Sequence, residues 1–190
     1  MAEIKAGFAI CGSFCTFSKV IPQMRLLAQK GIDVYPIMSE IAYSTDTRFG
    51  KSEDFRNEIE EICSRKIIST IKDAEPIGPK KMFDILIIAP CTGNTLAKLA
   101  NGIADTSVTL AAKAHLRNTK PILIGVSTND ALGAAAKNIG NLMNSKNIFF
   151  IPMKQDDYEG KPNSIVADFT KTYDALVKAI DFRQIQPLLL

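Results

Sequence analysis

"FDILIIAPCTGNTLAKLAN", residues 83–101, changes character twice. Residues 83–89 are almost continuously apolar and rich in isoleucine, the pattern of a strand covered on both faces of a parallel sheet. Pro90 ends the run, since it has no N–H for a further ladder bond. Residues 93–101 then carry a helical pattern. The stretch is therefore a strand, a polar turn and a helix start. Cys91, Thr92, Asn94 and Thr95 place a thiol, two hydroxyls and an amide in that turn. These groups serve equally as a ligand cradle or as a helix cap.

The same kind of apolar run recurs on either side: "IKAGFAI" (4–10), "IDVYPIM" (32–38), "PILIGV" (121–126) and "NIFFIP" (147–152). Helical patterns fill the intervals. Phe17, Val20, Ile21, Met24, Leu27 and Ala28 form one apolar stripe that stops at Gly31, and Pro22 predicts a late start or a kink. A second helix opens near Ser52 as its N-cap, with acids in its first turn. Residues 66–71 read as a short strand or the end of that excursion, and 74–81 as a loop. Further helices are expected over 93–101, 105–117, 131–145 and from about 163 to 181. Alternation of this kind predicts an α/β, doubly wound, Rossmann-like parallel sheet in a three-layer α/β/α arrangement. A single domain over 1–182 and a tail over 183–190 follow.

Composition narrows the function classes. A length of 190 residues with 46% hydrophobic and 23% charged side chains is enough to build one ordinary core. A net charge of +3 with dispersed basic residues argues against a nucleic-acid partner. No apolar stretch approaches the roughly 18 residues of a membrane helix, and "MAEIKAGFAICGSF" is unlike a signal peptide. Cys11, Cys15, Cys63 and Cys91 lack zinc-type spacing, so no metal is expected and the thiols read as reduced core groups. The whole reads as a soluble cytoplasmic protein.

In a doubly wound sheet ligands sit at the carboxyl ends of the strands. That rule selects four loops, 11–18, 39–50, 90–95 and 127–133. Gly12 and Ser13 combine an approachable backbone with a helix start, though the glycines do not make a dinucleotide fingerprint. Ser39 follows the second strand and is placed to bond a phosphate beside them, while Ser44, Thr45 and Thr47 read as ordinary loop groups. Cys91 has no histidine near it in sequence, and the lone His115 falls within a helix, so a cysteine–histidine dyad is not expected. Ser127, Thr128, Asn129 and Asp130 supply the fourth loop as ligand contacts or as a helix cap. Together the four loops predict a phosphorylated ligand with a polar ring system. Lys98 stands one turn into the third helix start, either as a counter-charge or as a solvated lysine.

Residues 89–116, "APCTGNTLAKLANGIADTSVTLAAKAHL", resemble the flavoprotein family that includes flavin prenyltransferases and cysteine decarboxylases. There the strand end reads P-x-S-x-x-T, followed by a helix and G-x-x-D-N. Pro90, Asn94, Thr95, Leu96, Gly102 and Asp105 match, with Thr92 in place of the serine and Thr106 in place of the last asparagine. The resemblance extends in order from about residue 4 to 182. It implies an FMN site that includes Gly12, Ser13, Ser39, Cys91, Thr92, Asn94 and Thr95. Departures are equally informative. Thr128 and Asn129 stand where the prenyltransferases carry an Arg-Glu pair, and Lys178 stands for an arginine, while Tyr158 keeps a tyrosine. No histidine precedes His115, unlike the decarboxylases.

"ICGSFCTFSKV", "DTRFG", "GVSTNDALGAAAKNIG" and "FIPMKQDDYEGKPNSIVADF" are most similar to a branch of the family found in endospore-forming bacteria. That likeness implies a chain acting with a separate A subunit to oxidise a small cyclic dicarboxylate to an aromatic one. It places NAD(P) in the A partner and the pair in the cytoplasm of the mother cell. Substrate contact falls to Ser127, Thr128, Asn129, Tyr158 and Lys178, since Asp130 would repel a dianion, and no catalytic residue is assigned. Two alternatives remain, a stand-alone FMN enzyme and a non-catalytic scaffold. The apolar helices at 93–101 and 105–117 argue for a homo-oligomer, which the family likeness builds from trimers.

Overall fold

Each of the five apolar runs becomes a strand in the computed structural model, which describes residues 4–190. They are β1 (Lys5–Ile10), β2 (Asp33–Met38), β3 (Ile85–Cys91), β4 (Ile122–Thr128) and β5 (Ile148–Phe150). Two short strands follow, β6 (Met153–Lys154) and β7 (Ile165–Ala167). The helices are α1 (Phe17–Gln29), α2 (Glu40–Ser44), α3 (Ser52–Cys63), α4 (Ile71–Ala74), α5 (Gly93–Ala100), α6 (Ser107–Arg117), α7 (Ala136–Met143) and α8 (Thr172–Ile180). Met1, Ala2 and Glu3, which begin the stretch compared above with a signal peptide, lie outside the described residues.

Among the described residues the sheet runs β2-β1-β3-β4, parallel throughout, and β5 continues it in parallel beside the first half of β4. Every residue of β3 is buried, and its side chains divide between two cores. Ile85, Ile87 and Ala89 meet Phe17, Met24, Leu27 and Leu176 on one face. Leu86 and Ile88 meet Leu96, Val108, Ala112 and Leu142 on the other. Helices on both faces explain why the strand patterns are continuous rather than alternating.

Several elements differ from expectation for local reasons. Pro90 does not end β3. Cys91 pairs with Val126 after a register shift, so the strand continues past the proline. Pro22 lies inside α1 without delaying it. Its ring faces solvent, and the buried Phe17, Val20, Ile21, Met24 and Leu27 each contribute about 1.5–3 kcal/mol, which outweighs a proline cost of about 3 kcal/mol. Ser52 is the first helical residue of α3 rather than its cap; its N–H and hydroxyl both donate to Asp46, at 2.8 and 2.9 Å. Residues 66–71 leave only a single bridge, Ile68 to Ile37, and 71–77 form α4 and a 3-10 turn where a loop was expected over 74–81.

The expected helix from about 163 is also corrected. Ile165–Ala167 is β7, antiparallel to Ser127 and Thr128 of β4 and to β6, and the helix begins at Thr172. β5 stops at Phe150, just before Ile151 and Pro152, and β7 takes over the exposed edge of β4. The parallel sheet thus acquires a small antiparallel margin on the side of the ligand loops. In the tail, Gln184 bonds both backbone groups of Phe150, and Leu190 N–H donates to Met153.

Two outcomes test this packing. A Cβ at Gly7 would lie 2.7 Å from the Phe83 ring and 2.9 Å from Leu86, so Gly7→Ala should destabilise the fold by about 1–3 kcal/mol in urea unfolding. His115 is buried, with Nε2 3.1 Å from the Pro121 carbonyl, and burial lowers its pKa to about 4. The unfolded chain takes up this proton first as pH falls, so stability is lost from about pH 6.5 downward. Unfolding free energy should be about 2 kcal/mol lower at pH 5 than at pH 7, and His115→Gln should remove most of that difference. An undiminished pH dependence in the variant would show that other groups cause it.

Candidate functional site

The carboxyl ends of β1, β3 and β4 open into a cavity of about 580 Å³. Its floor is neutral and polar. Ser13, in the turn after β1, and Ser127, within β4, join their hydroxyls at 2.8 Å, so the first and fourth loops are tied together. Thr92, Thr128, Asn129 and Gly12 complete the sequence-predicted residues that line it. Nothing in the fold demands a glycine at position 12. Its φ is not positive, and an added Cβ would meet nothing closer than 3.5 Å. What the missing side chain leaves open is the cavity itself.

The turn in "APCTGN" is a cap and a lining at once. Thr92 Oγ1 accepts from the Thr95 N–H at 3.3 Å, capping α5, while the Thr92 side chain also faces the cavity. Its hydroxyl donates to Thr95 Oγ1 at 3.1 Å, and Thr95 donates to Cys11 Sγ at 3.3 Å. The Cys91 thiol donates to the Thr92 carbonyl at 4.0 Å. Cys91 and Thr95 beside it hold the Cys11 thiol below its ordinary range, and burial pushes the Cys91 thiol up. Gly93 is closely approached: a Cβ there would lie 2.8 Å from both Thr128 Oγ1 and Asp130 Oδ1 and would displace those side chains. Thr128 donates to that Asp130 oxygen, which occupies the carboxylate locally.

Other expected residues are not brought to this cavity. Cys91 and Thr95 are buried beneath it, and the Asn94 side chain is exposed on the first turn of α5. Ser39 caps α2, its hydroxyl accepting from Ala42 N–H at 3.3 Å. Tyr158 is 69% exposed and absent from the lining. Lys178 lies in the last turn of α8, and that helix ends with Ile180 beside Ile4, Asp84 and Pro121, at the amino ends of the strands. The opposite end of the sheet is therefore where Lys178 sits. Lys98 is a salt-bridge partner rather than a free counter-charge, at 2.8 and 3.0 Å from the Asp105 carboxylate oxygens.

The cavity also has a charged wall that no local sequence pattern marks as a whole. Lys19 on α1, Arg48 and Phe49 in the second loop, and Asp156 and Lys161 between β6 and β7 all line the cavity. "DTRFG" contained the signal for Arg48, whereas a lysine on a helix or loop ordinarily reads as solvated. Cys15 is also there: it is exposed, not a core thiol, while Cys11, Cys63 and Cys91 are buried and burial raises Cys63 to about 12. A maleimide should consequently modify one thiol in the native protein, and Cys15→Ser should abolish the reaction. Rapid labelling of a second cysteine would contradict the burial of the other three.

The family model described as Flavoprotein matches residues 1–182. The B subunit of dipicolinate synthase from Bacillus subtilis (strain 168) is 44% identical over 185 residues, covering 97% of this chain and 92% of the relative. The crystal structure of the corresponding B subunit from Bacillus halodurans C superposes with a TM-score of 0.91 at 43% identity, over 100% of this chain and 97% of that one. The FMN-dependent cysteine decarboxylase SpaF shares the fold, with a TM-score of 0.65 at 21% identity over 94% of this chain and 98% of its own. With its match over residues 1–182 and its likeness to two B subunits along nearly the whole chain, this protein belongs to the flavoprotein family, in the group formed by the B subunits of dipicolinate synthase.

Proposed function

We propose that the chain is the B subunit of a two-subunit oxidoreductase that acts in sporulation, and that it converts dihydrodipicolinate to dipicolinate together with a dipicolinate synthase A subunit. The observation that carries this reading is the cavity where the ligand loops meet, on a chain similar to a named B subunit over 97% of its length. The reaction removes two hydrogens from the ring and leaves an aromatic pyridine that keeps both carboxylates. NAD(P) belongs to the A subunit in this reading. The pair works in the mother-cell cytoplasm; no helix among the described residues is long and apolar enough to cross a membrane.

FMN fits the residues present. The cavity volume lies within the range of about 300–1,000 Å³ usual for ligand pockets, and Gly12 leaves room that the fold itself does not need. Ser13, Thr92 and Ser127, with the free N–H groups at the start of α5, would hold its polar and anionic groups. Bound FMN supplies a two-electron acceptor. This chain's residues bind, orient and shield. Thr128 and Asn129 offer neutral contacts to the substrate, and no Arg-Glu pair is present there to move a proton as in the prenyltransferases.

Self-association belongs to the same reading, as an assembly built from trimers. Ile103 is 47% exposed beside a groove of about 220 Å³ lined by Leu99, Ala112, Leu116 and Ile148. Light scattering at micromolar concentration should give a multiple of three chains; a monomer would count against it.

The decisive assay measures dihydrodipicolinate oxidation with each of the two subunits alone and with both. Activity should require the pair, and an A subunit equally active alone would remove this chain from the reaction. Ser13→Ala should weaken FMN binding about tenfold, read by flavin fluorescence, because a charge-assisted hydrogen bond contributes about 1.5–3 kcal/mol. The isolated chain should not prenylate FMN, and formation of the prenylated product would restore the prenyltransferase reading.

A further inference from the structure

The charged wall of the cavity differs in kind from its floor. Lys19, Arg48 and Lys161 reach it from three separate elements, α1, the turn before α3 and the segment between β6 and β7. Asp156 is the one carboxylate in the lining, and it lies 3.6 Å from Lys161. Lys19 and Arg48 have no carboxylate within salt-bridge distance among the described residues. Three cations against one acid leave the lining two charges positive. Cations gathered around a concavity repel one another unless an anion enters, and the low-dielectric walls strengthen that field.

Arg48 is also held in place. It sits with Phe49 at the tip of a two-residue turn whose ends are closed by Thr47 N–H to Gly50 O at 3.0 Å and Gly50 N–H to Thr47 O at 3.1 Å. Gly50 has φ +148°, and a Cβ there would lie 2.7 Å from the Phe55 ring, so this tight turn needs glycine. At its other end Asp46 accepts from Ser52 twice, and those two bonds hold its carboxyl below the usual range. The guanidinium carbon lies 4.9 Å from the Phe49 ring centroid, and Phe49 is 46% exposed. A braced turn therefore presents a planar cation, free of any carboxylate partner among the described residues, over one face of a half-exposed aromatic ring.

Building on the proposed function, we infer that Arg48, Lys161 and Lys19 are the carboxylate anchors of the substrate site, with Phe49 as the surface on which its planar ring stacks. A guanidinium matches a carboxylate with two parallel N–H···O bonds, whereas the neutral floor at Ser13, Thr92 and Ser127 suits the directed contacts of a cofactor phosphate and ring. Lys19 and Lys161 add charge for the second carboxylate. This arrangement selects a flat dianion over a flat monoanion, because a single carboxylate leaves one side of the wall unmatched.

Calorimetric titration of the whole chain with pyridine-2,6-dicarboxylate, pyridine-2-carboxylate and, separately, FMN tests the assignment. Wild type should bind the dicarboxylate at least about tenfold more tightly than the monocarboxylate. Arg48→Gln should lose about tenfold or more in dicarboxylate affinity while FMN affinity stays within about twofold. Arg48→Lys should recover part of the loss, since it restores charge without the fork, and Lys161→Gln should act in the same direction as Arg48→Gln. Unchanged dicarboxylate affinity in Arg48→Gln overturns the assignment, as does failure of wild type to bind the dicarboxylate. An equal loss for FMN gives Arg48 to the phosphate and overturns it as well. The reconstituted pair separates this from the underlying reading. If wild type with its A partner oxidises dihydrodipicolinate and Arg48→Gln leaves KM unchanged, only the anchor fails. If the pair forms no product, the reading itself fails.

Discussion

Parallel pairing between β1 and β3 is the constraint on which the site depends. Ala6 to Ala9 lie against Ile85 to Ile88, and the sheet grows outward from this pair in both directions, to β2 on one side and β4 on the other. The crossover after β1 therefore carries α1 to one face, and that after β3 carries α5 and α6 to the other. Chain segments that leave adjacent strands toward opposite faces cannot fill the space between them, so a crevice opens at their carboxyl ends. Cys11 N–H donates to Pro90 O at 3.2 Å and prolongs the pairing into the floor of that crevice.

Two kinds of polar surface meet in the cavity, and they obey different physics. The floor uses neutral hydroxyls whose geometry is set by their own hydrogen bonds: Ser13 to Ser127, Thr92 to Thr95, Thr95 to Cys11. Such groups discriminate by direction and act over about one hydrogen-bond length. The wall uses Lys19, Arg48 and Lys161, whose attraction extends over about a Debye length of ~8–10 Å and fades with salt. In the proposed reading, where one cavity places both a cofactor and a small dianion, separating these tasks is an advantage. The antiparallel margin of β6 and β7 contributes to this separation, because it carries the segment with Asp156 and Lys161 back over the end of β4.

The buried Cys11–Cys91–Thr95 cluster lies directly under the floor. Thr95 satisfies its hydroxyl by donating to the Cys11 sulfur. Such small, soft groups let β1 and β3 pack closely where larger side chains would push the loops apart.

The positions of the five parallel strands, the two-faced burial of β3 and the choice of loops after β1, β3 and β4 were determined by sequence alone. Each depends on hydrophobic periodicity or on turn residues, which act within a few positions along the chain. The motif from Pro90 to Asp105 carried the family for the same reason. Tertiary structure alone decided that Lys178 stands at the far end of the sheet, that Lys98 is spent on Asp105, and that Tyr158 stays out of the cavity lining. It also decided that residues 165–167 are a strand, since the open edge of β4 beyond Phe150 offers ladder partners that outweigh a helical pattern. Lys19, Arg48 and Lys161 are 142 positions apart from first to last and share no local pattern. Charges act through space, so only the fold that brings three distant elements to one opening could make them a site.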